Sequence, residues 1–307
     1  MQHMRGCVLS VLLLFSLAAC TKSEKYSASK IIGVTMLTRA HQFHKDLEEA
    51  LLASAKKNGF KLMITVGEWD IGRQISQIED FITQKVDAII VTPVDSRGIG
   101  KAIKAANAAK IPVFTADIAA LEGEVVCHIA SDNVAGGKLA GEYLAKLLNG
   151  KGQIAIINQP IVTSVLDRVQ GFREAIAQYP DIEIVKDVNG DGVRDRAMQA
   201  TADVLQAHPQ LNGIFGINDD SALGALDAVE DFNRRDVVIV GYDATPEARE
   251  AILNDRALKA DVVQYPRQIG EQTIAVIAQY FRGEQVPAVL PVAVGIVDKT
   301  SLQEASQ

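Results

Sequence analysis

Residues 124–133 read Glu124-Val125-Val126-Cys127-His128-Ile129-Ala130-Ser131-Asp132-Asn133, and this stretch decides the fold. The run Val125–Ile129 has the length and composition of a buried β-strand. No helical pattern comes directly before it, and polar residues follow it at once. We therefore predict that the chain crosses from one α/β domain to another at Ser131–Asn133.

The same rhythm of apolar and amphipathic segments continues on both sides of this stretch. Strand-like runs are Ile31–Met36, Leu62–Val66, Ala88–Val91, Val113–Thr115, Val125–Ile129, Ile154–Ile157, Ile182–Val185, Gly213–Ile217, Val237–Val240 and Ala260–Val263. Helical patterns are Phe43–Lys57, Ile71–Gln84, Gly98–Ala109, Val134–Leu148, Leu166–Gln178, Asp195–Ala207, Ser221–Asn233 and Ile269–Phe281. Near-continuous apolar strands separated by helices indicate parallel sheets covered on both faces. There are more strands than one doubly wound sheet usually carries, so we predict an α/β fold with two Rossmann-like, doubly wound lobes.

The N-terminus has the features of an export signal. Arg5 precedes an apolar run from Val8 to Leu17, which is too short to cross a bilayer as a mature helix. The closing Leu17-Ala18-Ala19-Cys20 resembles the lipobox of bacterial lipoproteins, which implies cleavage and acylation of Cys20. An ordinary secretory signal with a chance cysteine is the alternative. Both interpretations predict that the mature chain works outside the cytoplasm.

Charge and cysteine content exclude several classes of protein. The formal net charge of -7 disfavours binding to nucleic acid, because phosphate backbones repel an acidic surface. Three cysteines are present, of which Cys7 lies in the signal and Cys20 would carry lipid, so a disulfide scaffold within one chain is excluded. No Gly-x-Gly-x-x-Gly motif follows the first strand and no nucleophile motif occurs, which argues against an enzyme.

Ligands of open parallel sheets bind beyond the carboxyl ends of the strands. Polar and aromatic residues follow many strands at that point. They are His41, Phe43, His44, Thr92, Asp95, Asp117, Asn218, Asp219, Asp243 and Gln264. Carboxylates and amides bond to hydroxyl groups and aromatic rings cover C–H faces, so this set predicts a hydroxylated ligand.

These strand ends belong to longer motifs. The motifs are the stretch 124–133, Ala207-His208-Pro209, Asn218-Asp219-Asp220-Ser221-Ala222-Leu223-Gly224-Ala225-Leu226, Val240-Gly241-Tyr242-Asp243-Ala244-Thr245-Pro246 and Gln268-Ile269-Gly270. Over about residues 31–298 the chain resembles the ribose-type periplasmic sugar-binding proteins of ABC importers, which have the type I periplasmic binding protein fold shared with lac-repressor effector domains. The resemblance implies two lobes joined by a three-stranded hinge, with crossings near Ser131–Asn133, Val263–Gln264 and Val292–Gly295.

The resemblance also implies domains and partners. We expect a lipoprotein signal peptide at 1–19, a tether at 20–30, an N-terminal lobe of 31–131 plus 265–293 and a C-terminal lobe of 132–264 plus 294–307. The expected partners are a small carbohydrate, the membrane subunits of an ABC permease and the lipid bilayer through acylated Cys20. We expect a monomer with no cofactor, in the periplasm or on the outer face of the cell membrane.

Site residues follow from the resemblance position by position. The family's Asn-x-Phe-Phe after the first strand corresponds to His41, Phe43 and His44, so one ring is kept. Its Asp-Arg after the fourth strand reads Asp117-Ile118. The second-lobe arginine falls on Arg168, and the amide, carboxylate and amide of later strand ends fall on Asn218, Asp243 and Gln264. The second-lobe aromatic aligns near Gly192. These departures place ribose itself in doubt and leave another pentose, a hexose or a polyol open.

Two metal interpretations compete with simpler ones. His41 and His44 share one helix face but have no third ligand nearby in sequence, so we expect no metal there. Residues 187–192 match the first half of an EF-hand loop, yet its twelfth position is Met198 rather than glutamate. A polar turn explains the same residues, and calcium binding stays open. We further expect His41 or His44 to make ligand affinity fall below about pH 6.

The leading functional prediction is a non-catalytic receptor that delivers a small sugar or polyol to an ABC permease. A receptor feeding a sensor or chemotaxis system is the alternative, because both roles use the closed form. A lac-repressor-type regulator would need a basic DNA-binding domain in place of the signal.

Overall fold

Within residues 29–305, which the computed structural model of this protein describes, strands alternate with helices along the chain. The strands are β1 (Ile31–Met36), β2 (Lys61–Val66), β3 (Ala88–Val91), β4 (Val113–Ala116), β5 (Cys127–Ser131), β6 (Lys151–Asn158), β7 (Asp181–Asn189), β8 (Leu211–Gly216), β9 (Val238–Asp243), β10 (Leu258–Val263), β11 (Val289–Val292) and β12 (Gly295–Asp298). The helices are α1 (Gln42–Lys57), α2 (Ile71–Thr83), α3 (Gly100–Ala108), α4 (Asn133–Leu147), α5 (Thr163–Ile176), α6 (Arg194–Ala207), α7 (Asp219–Asp231), α8 (Pro246–Leu253), α9 (Pro266–Phe281) and α10 (Lys299–Glu304). The predicted signal peptide, Cys20 and most of the tether lie outside the described residues.

The strands form two six-stranded sheets. The first has the order β11-β5-β4-β3-β1-β2 and is parallel throughout. The second has the order β12-β10-β9-β8-β6-β7 and is parallel except for β12, which pairs antiparallel with β10. The predicted two-lobe α/β fold is confirmed.

Helices cover both faces of the first sheet. Successive side chains of a strand point to opposite faces, and in β3 Ile90 packs with α1 and α9 whereas Ile89 packs with α2 and α3. In the second sheet, Ile156 of β6 packs with α4 and α5, and Ile157 packs with α6 and α7. We call these two units the first lobe and the second lobe.

The chain passes between the sheets at three places. After β5 it enters α4, which packs on the second sheet, and after β10 it enters α9, which packs against α1 of the first lobe. Only residues 293–294 separate β11 of the first sheet from β12 of the second. Three short connections side by side are a geometry that permits hinge rotation.

Four elements of the structure are absent from the sequence-based prediction. β11 and β12 lie at sheet edges and are short, and β11 contains Pro291, so neither has a long apolar run. Helices α8 and α10 have fewer than ten residues each and bury few side chains, so their periodicity is weak.

Helices α4 and α5 approach each other through glycines. A methyl group on Gly137 would lie 2.0 Å from the carbonyl oxygen of Arg168, and one on Gly171 would lie 2.0 Å from that of Val134. No side chain fits into a backbone contact of this kind. The contact fixes α5, which carries Arg168, against α4 within the second lobe.

We expect Gly137→Ala to lower the free energy of unfolding by about 1–3 kcal/mol, because the added methyl forces the two backbones apart. Urea denaturation measures the change. Gly72→Ala is a matched control in the first turn of α2, where the nearest atom to the new methyl is the Asp70 carboxylate at 3.2 Å. Equal midpoints for wild type and Gly137→Ala would contradict the close contact.

Candidate functional site

The carboxyl ends of strands from both sheets border one cavity between the lobes. In this conformation the cavity has a volume of about 50 Å³. Eight sequence-predicted residues line it together. They are His41, Phe43, His44, Asp117, Arg168, Asn218, Asp243 and Gln264. Thr92 is not brought to the wall: it is fully buried, with its backbone bonded to Thr35 and Gln74.

The first turn of α1 forms one wall of the cavity. His41 is the N-cap of α1, and its Nδ1 accepts a hydrogen bond from the backbone N–H of Phe43 at 3.1 Å. Because Nδ1 is an acceptor, the neutral ring carries its proton on Nε2. The rings of Phe43 and His44 pack edge to face at 5.3 Å between centroids. The cap therefore presents two imidazoles and one phenyl ring to the cavity.

His44 stays uncharged in this environment. Burial, followed by the nearby charges of His41 and Arg168, lowers the pKa of His44 to about 3. Its Nδ1 is buried and has no hydrogen-bond partner within the described part of the chain. The expectation that His44 makes affinity fall below about pH 6 is therefore wrong, because the group does not titrate there. The same expectation for His41 stays a prediction.

Asp117 follows β4 with a left-handed backbone (φ 69°), and its N–H donates to the carbonyl of Ile129. This conformation turns the side chain out of the strand. Its Oδ1 is buried and unpaired among the described residues. Burial raises the pKa of Asp117 to about 7; Arg168 opposes the rise and Asp243 adds to it. The carboxyl thus changes charge near neutral pH.

Arg168 on α5 is held by its own lobe. Its Nε donates to Oδ1 of Asn133 at 2.9 Å and its Nη1 donates to the carbonyl of Ile217 at 2.8 Å. The guanidinium carbon also lies 3.9 Å from the centre of the Tyr242 ring, an arrangement that stabilises a buried cation. Two of its three nitrogens are thereby occupied by protein partners.

Asp243 lies where the two lobes meet. Its Oδ1 accepts a hydrogen bond from Nε2 of Gln264, and its Oδ2 accepts from the N–H of Asp219 at 3.4 Å. Nε2 of His41, from the first lobe, lies 3.2 Å from the same Oδ2 without the angle of a hydrogen bond. A carboxylate of the second lobe thus lies within contact distance of a first-lobe imidazole.

A buried pair of carboxyl groups supports the loop after β9. Asp219 accepts from the N–H of Thr245 and Asp261 accepts from the N–H of Ala244. Burial raises the pKa of both groups, that of Asp219 to about 6. The neighbouring Asp219 raises the pKa of Asp261 further, whereas the interaction with Asp261 opposes the rise at Asp219 and the charge of Asp243 adds to it. Two carboxyls in such contact hold one proton between them. Their hydrogen bonds fix the backbone that carries Asp243.

Several cavity-lining residues were not predicted from the sequence. Gln159 follows β6 directly and is buried, and its Nε2 has no partner within residues 29–305. Ligands of parallel sheets bind beyond the carboxyl ends of the strands, so the reasoning that identified the other residues also applies to Gln159. Asp220 and Ser164 also line the cavity. Trp69, which follows β2, also lines the cavity and is 38% exposed.

The cavity thus combines aromatic surface with buried polar atoms that have no hydrogen-bond partner within residues 29–305. These atoms come from both lobes and are His41 Nε2, His44 Nδ1, Asp117 Oδ1, Gln159 Nε2 and Gln264 Oε1. A buried polar group without a partner costs free energy, so the wall is complementary to a ligand that carries several hydroxyl groups.

Comparison with known proteins decides the family. The model of the periplasmic binding protein domain matches residues 32–285. This chain belongs to that family. The ribose import binding protein of Escherichia coli (strain K12) is 34% identical over 283 residues, covering 92% of this chain and 95% of that protein. The xylitol-binding protein of Mycolicibacterium smegmatis is 31% identical over 240 residues, covering 77% of this chain and 68% of that protein.

Solved structures of the family have the same fold. The ABC transporter periplasmic solute-binding protein of Actinobacillus succinogenes 130z with bound D-allose is 29% identical, with a TM-score of 0.83, and covers 90% of this chain and 100% of that one. The predicted membership in the ribose-type periplasmic binding proteins is confirmed. The relatives are binding proteins rather than enzymes, in agreement with the prediction of a non-catalytic function.

The lobes of this periplasmic binding protein touch directly at Thr163. Its N–H donates to Oγ of Ser96 at 3.0 Å, and its hydroxyl accepts from the N–H of Ala119 at 3.0 Å. The backbone N–H of Ser96 also donates to the carbonyl of Ile161. Leu37, Val94 and Ile118 of the first lobe pack into the apolar core of the second. The described conformation therefore has the lobes in contact around the cavity.

Residues 29–305 contain neither a cluster of metal-ligating side chains nor a membrane-spanning helix. No group of three or more histidine, cysteine or acidic side chains there could hold a metal ion. In the EF-hand-like stretch, Asp187 bonds to Asn158 and Arg173, and Asn189 bonds to Asp191. No helix in this part of the chain has the length and apolar character needed to span a bilayer.

The raised pKa of Asp117 predicts how stability varies with pH. The unfolded carboxyl has an ordinary pKa of 3.8, so the folded chain binds this proton more strongly. That contribution to the free energy of unfolding is complete below about pH 4 and is lost as the pH rises through about 7. Asp117→Asn cannot lose a proton. We expect its free energy of unfolding, relative to wild type, to increase from pH 4 to pH 8 by an amount on the order of 4 kcal/mol.

Urea denaturation from about pH 2 to about pH 8 measures the difference and covers the range in which the control titrates. Asp87→Asn serves as a control of opposite sign, because a hydrogen bond from Lys30 holds the pKa of Asp87 below its ordinary value. That variant should lose stability relative to wild type as the pH rises through the acidic range. A constant difference between Asp117→Asn and wild type would contradict the assignment.

Proposed function

We propose that this chain is an extracytoplasmic solute-binding protein. It captures a small sugar or polyol in the cavity between its lobes and delivers it to an ABC permease. The observation that carries the proposal is the set of buried, unpaired polar atoms that both lobes direct into one cavity. A ligand that bonds to both lobes favours the conformation in which they touch.

The ligand links the lobes through Asp117 and His44 on one side and Gln159 and Gln264 on the other. Opening would rotate the lobes about the three connections and separate Thr163 from Ser96. A closed form with a distinct outer surface is what a permease can recognise. We take the lobe boundaries to be 31–131 plus 265–293 and 132–264 plus 294–307.

The relatives support transport rather than sensing. The relative from Escherichia coli is named for ribose import, and the relative from Mycolicibacterium smegmatis is named for xylitol. A pentose, a hexose or a polyol suits the polar and aromatic side chains of the cavity wall. We assign this chain to carbohydrate import on that basis.

A lipid on Cys20 would hold the lobes near the permease. The segment from Cys20 to the start of β1 has about ten residues and reaches roughly 35 Å when extended. More than one acyl chain makes anchoring stable, because each buried methylene contributes about 0.8 kcal/mol. The protein would then act at the outer face of a membrane or in the periplasm.

Substitution of Asp243 tests the binding site. Asp243→Asn removes the charge that accepts hydrogen bonds at the meeting point of the lobes. We expect it to weaken binding of the preferred sugar or polyol about 10- to 100-fold. Isothermal titration calorimetry of the full chain in detergent, against a panel of pentoses, hexoses and polyols, measures the change.

Asp236→Asn is the matched control, since Asp236 lies in the same lobe and pairs with Arg234 far from the cavity. It should leave affinity unchanged. If no sugar or polyol binds the wild type while an amino acid does, the carbohydrate function is refuted.

Substitution of Cys20 tests the anchor. We expect Cys20→Ala to abolish incorporation of labelled palmitate and to shift the protein out of the membrane fraction. Cys127→Ala is the control, because the Cys127 thiol is buried in the first lobe and is no acylation site. Absence of label from the wild type would contradict lipid anchoring.

A further inference from the structure

Asn133, in the first turn of α4, is a buried polar residue that lies behind the cavity wall. Its side chain is 5% exposed and does not line the cavity. Its Oδ1 accepts hydrogen bonds from Nε of Arg168 at 2.9 Å and from the hydroxyl of Tyr242 at 3.2 Å. Its Nδ2 donates to the carbonyl of Ser131 at 3.1 Å. Three buried bonds fix the orientation of this amide, because rotation of the group would break all of them.

The bond to Ser131 joins Asn133 to the place where the chain passes between the lobes. Ser131 ends β5 and pairs with Val292 at the end of β11. The next residue, Asp132, donates its N–H to the carbonyl of Val292 at 2.9 Å. Asn133 is therefore fixed to backbone where two of the three connections run side by side.

Arg168 is held at three points that all belong to the second lobe. Its Nε donates to Asn133, its Nη1 donates to the carbonyl of Ile217, and its guanidinium carbon lies 3.9 Å from the centre of the Tyr242 ring. A methyl group on Gly136 would lie 2.2 Å from the Tyr242 hydroxyl oxygen, so α4 packs directly on that ring. The orientation of the guanidinium is therefore set within one lobe and does not require contact between the lobes.

A competing partner for the guanidinium lies close by. Nη1 of Arg168 is 4.0 Å from Oδ1 of Asp243, beyond hydrogen-bond distance, and both side chains are buried. Opposite charges attract strongly where water is excluded, so a guanidinium that was free to rotate would bond to Asp243. Such a pair would occupy a cation and a carboxylate that both line the cavity. The bond from Nε to Asn133 opposes this rotation.

We propose that Asn133 is a positioning residue for ligand binding. It holds the guanidinium of Arg168 away from Asp243, so that Nη2, the nitrogen without a hydrogen bond to the described residues, can donate to a ligand oxygen. The inference rests on the proposed function and adds to it a residue that does not touch the ligand. A donor that is already oriented loses little conformational freedom when the ligand binds, which favours affinity.

Isothermal titration calorimetry of the full chain in detergent tests the role of Asn133. D-ribose, D-allose, xylitol and myo-inositol are titrated into the wild type, and the compound that binds most tightly is the probe for the variants. Asn133→Leu keeps the approximate size and removes all three hydrogen bonds, so affinity should fall about tenfold or more. Asn133→Asp keeps the acceptor for Arg168 and removes the donor to Ser131. We expect its affinity to stay within about threefold of the wild type.

Asn212→Leu is the matched control. Asn212 belongs to the same lobe, at the start of β8 and away from the cavity, and its Oδ1 accepts from the N–H of Gln153. Its loss should lower the free energy of unfolding and leave affinity for the probe unchanged. Circular dichroism and urea denaturation confirm that each variant is folded, and Asn133→Ala takes the place of Asn133→Leu if the latter is not.

A double-mutant cycle separates positioning from a general structural role. Arg168→Met removes the guanidinium, and in that background Asn133 has no donor left to orient. We therefore expect Asn133→Leu to change the affinity of the Arg168→Met variant by less than about threefold. An equal loss of affinity in both backgrounds, or wild-type affinity in a folded Asn133→Leu variant, overturns the inference and leaves the carbohydrate function standing. Failure of all four compounds to bind the wild type overturns both.

Discussion

The cavity depends on one constraint of parallel sheets, which is that all their strands end at the same edge. In each lobe this constraint brings together residues that are far apart in the chain, such as His41 and Asp117 in the first and Gln159, Asp243 and Gln264 in the second. Three connections then hold the two edges against each other. The binding site is therefore a property of the paired sheets, and no single loop contains it.

Burial gives the residues at this junction their charge states. Burial lowers the pKa of His44 to about 3, raises that of Asp117 to about 7, and raises the pKa values of the neighbouring Asp219 and Asp261. Full ionisation of every carboxyl in so small a volume would be unfavourable, because water cannot screen the charges there. Ligand hydroxyls can supply the hydrogen bonds that the buried atoms lack. Under the proposed function, this couples ligand binding to contact between the lobes.

Much of the fold was predictable because buried parallel strands and amphipathic helices have strong apolar patterns. The edge strands β11 and β12 and the short helices α8 and α10 were missed because they bury few side chains. Eight of the residues predicted from their position after a strand and from the family resemblance line the cavity. Gln159 was missed although it follows β6, and Thr92 was included although its backbone is engaged away from the cavity.

The sequence by itself determined the two-lobe α/β architecture and the polar residues at its strand ends, since periodicity and strand-end position are local properties. Only the tertiary structure decided which of those residues are available to a ligand. Two of the three nitrogens of Arg168 and both ends of the Asn218 amide have protein partners, whereas Asp117, Gln159 and Gln264 retain atoms with no partner in the described part of the chain. The difference arises because hydrogen bonds and desolvation depend on neighbours brought together across the sheets, and a linear pattern contains neither.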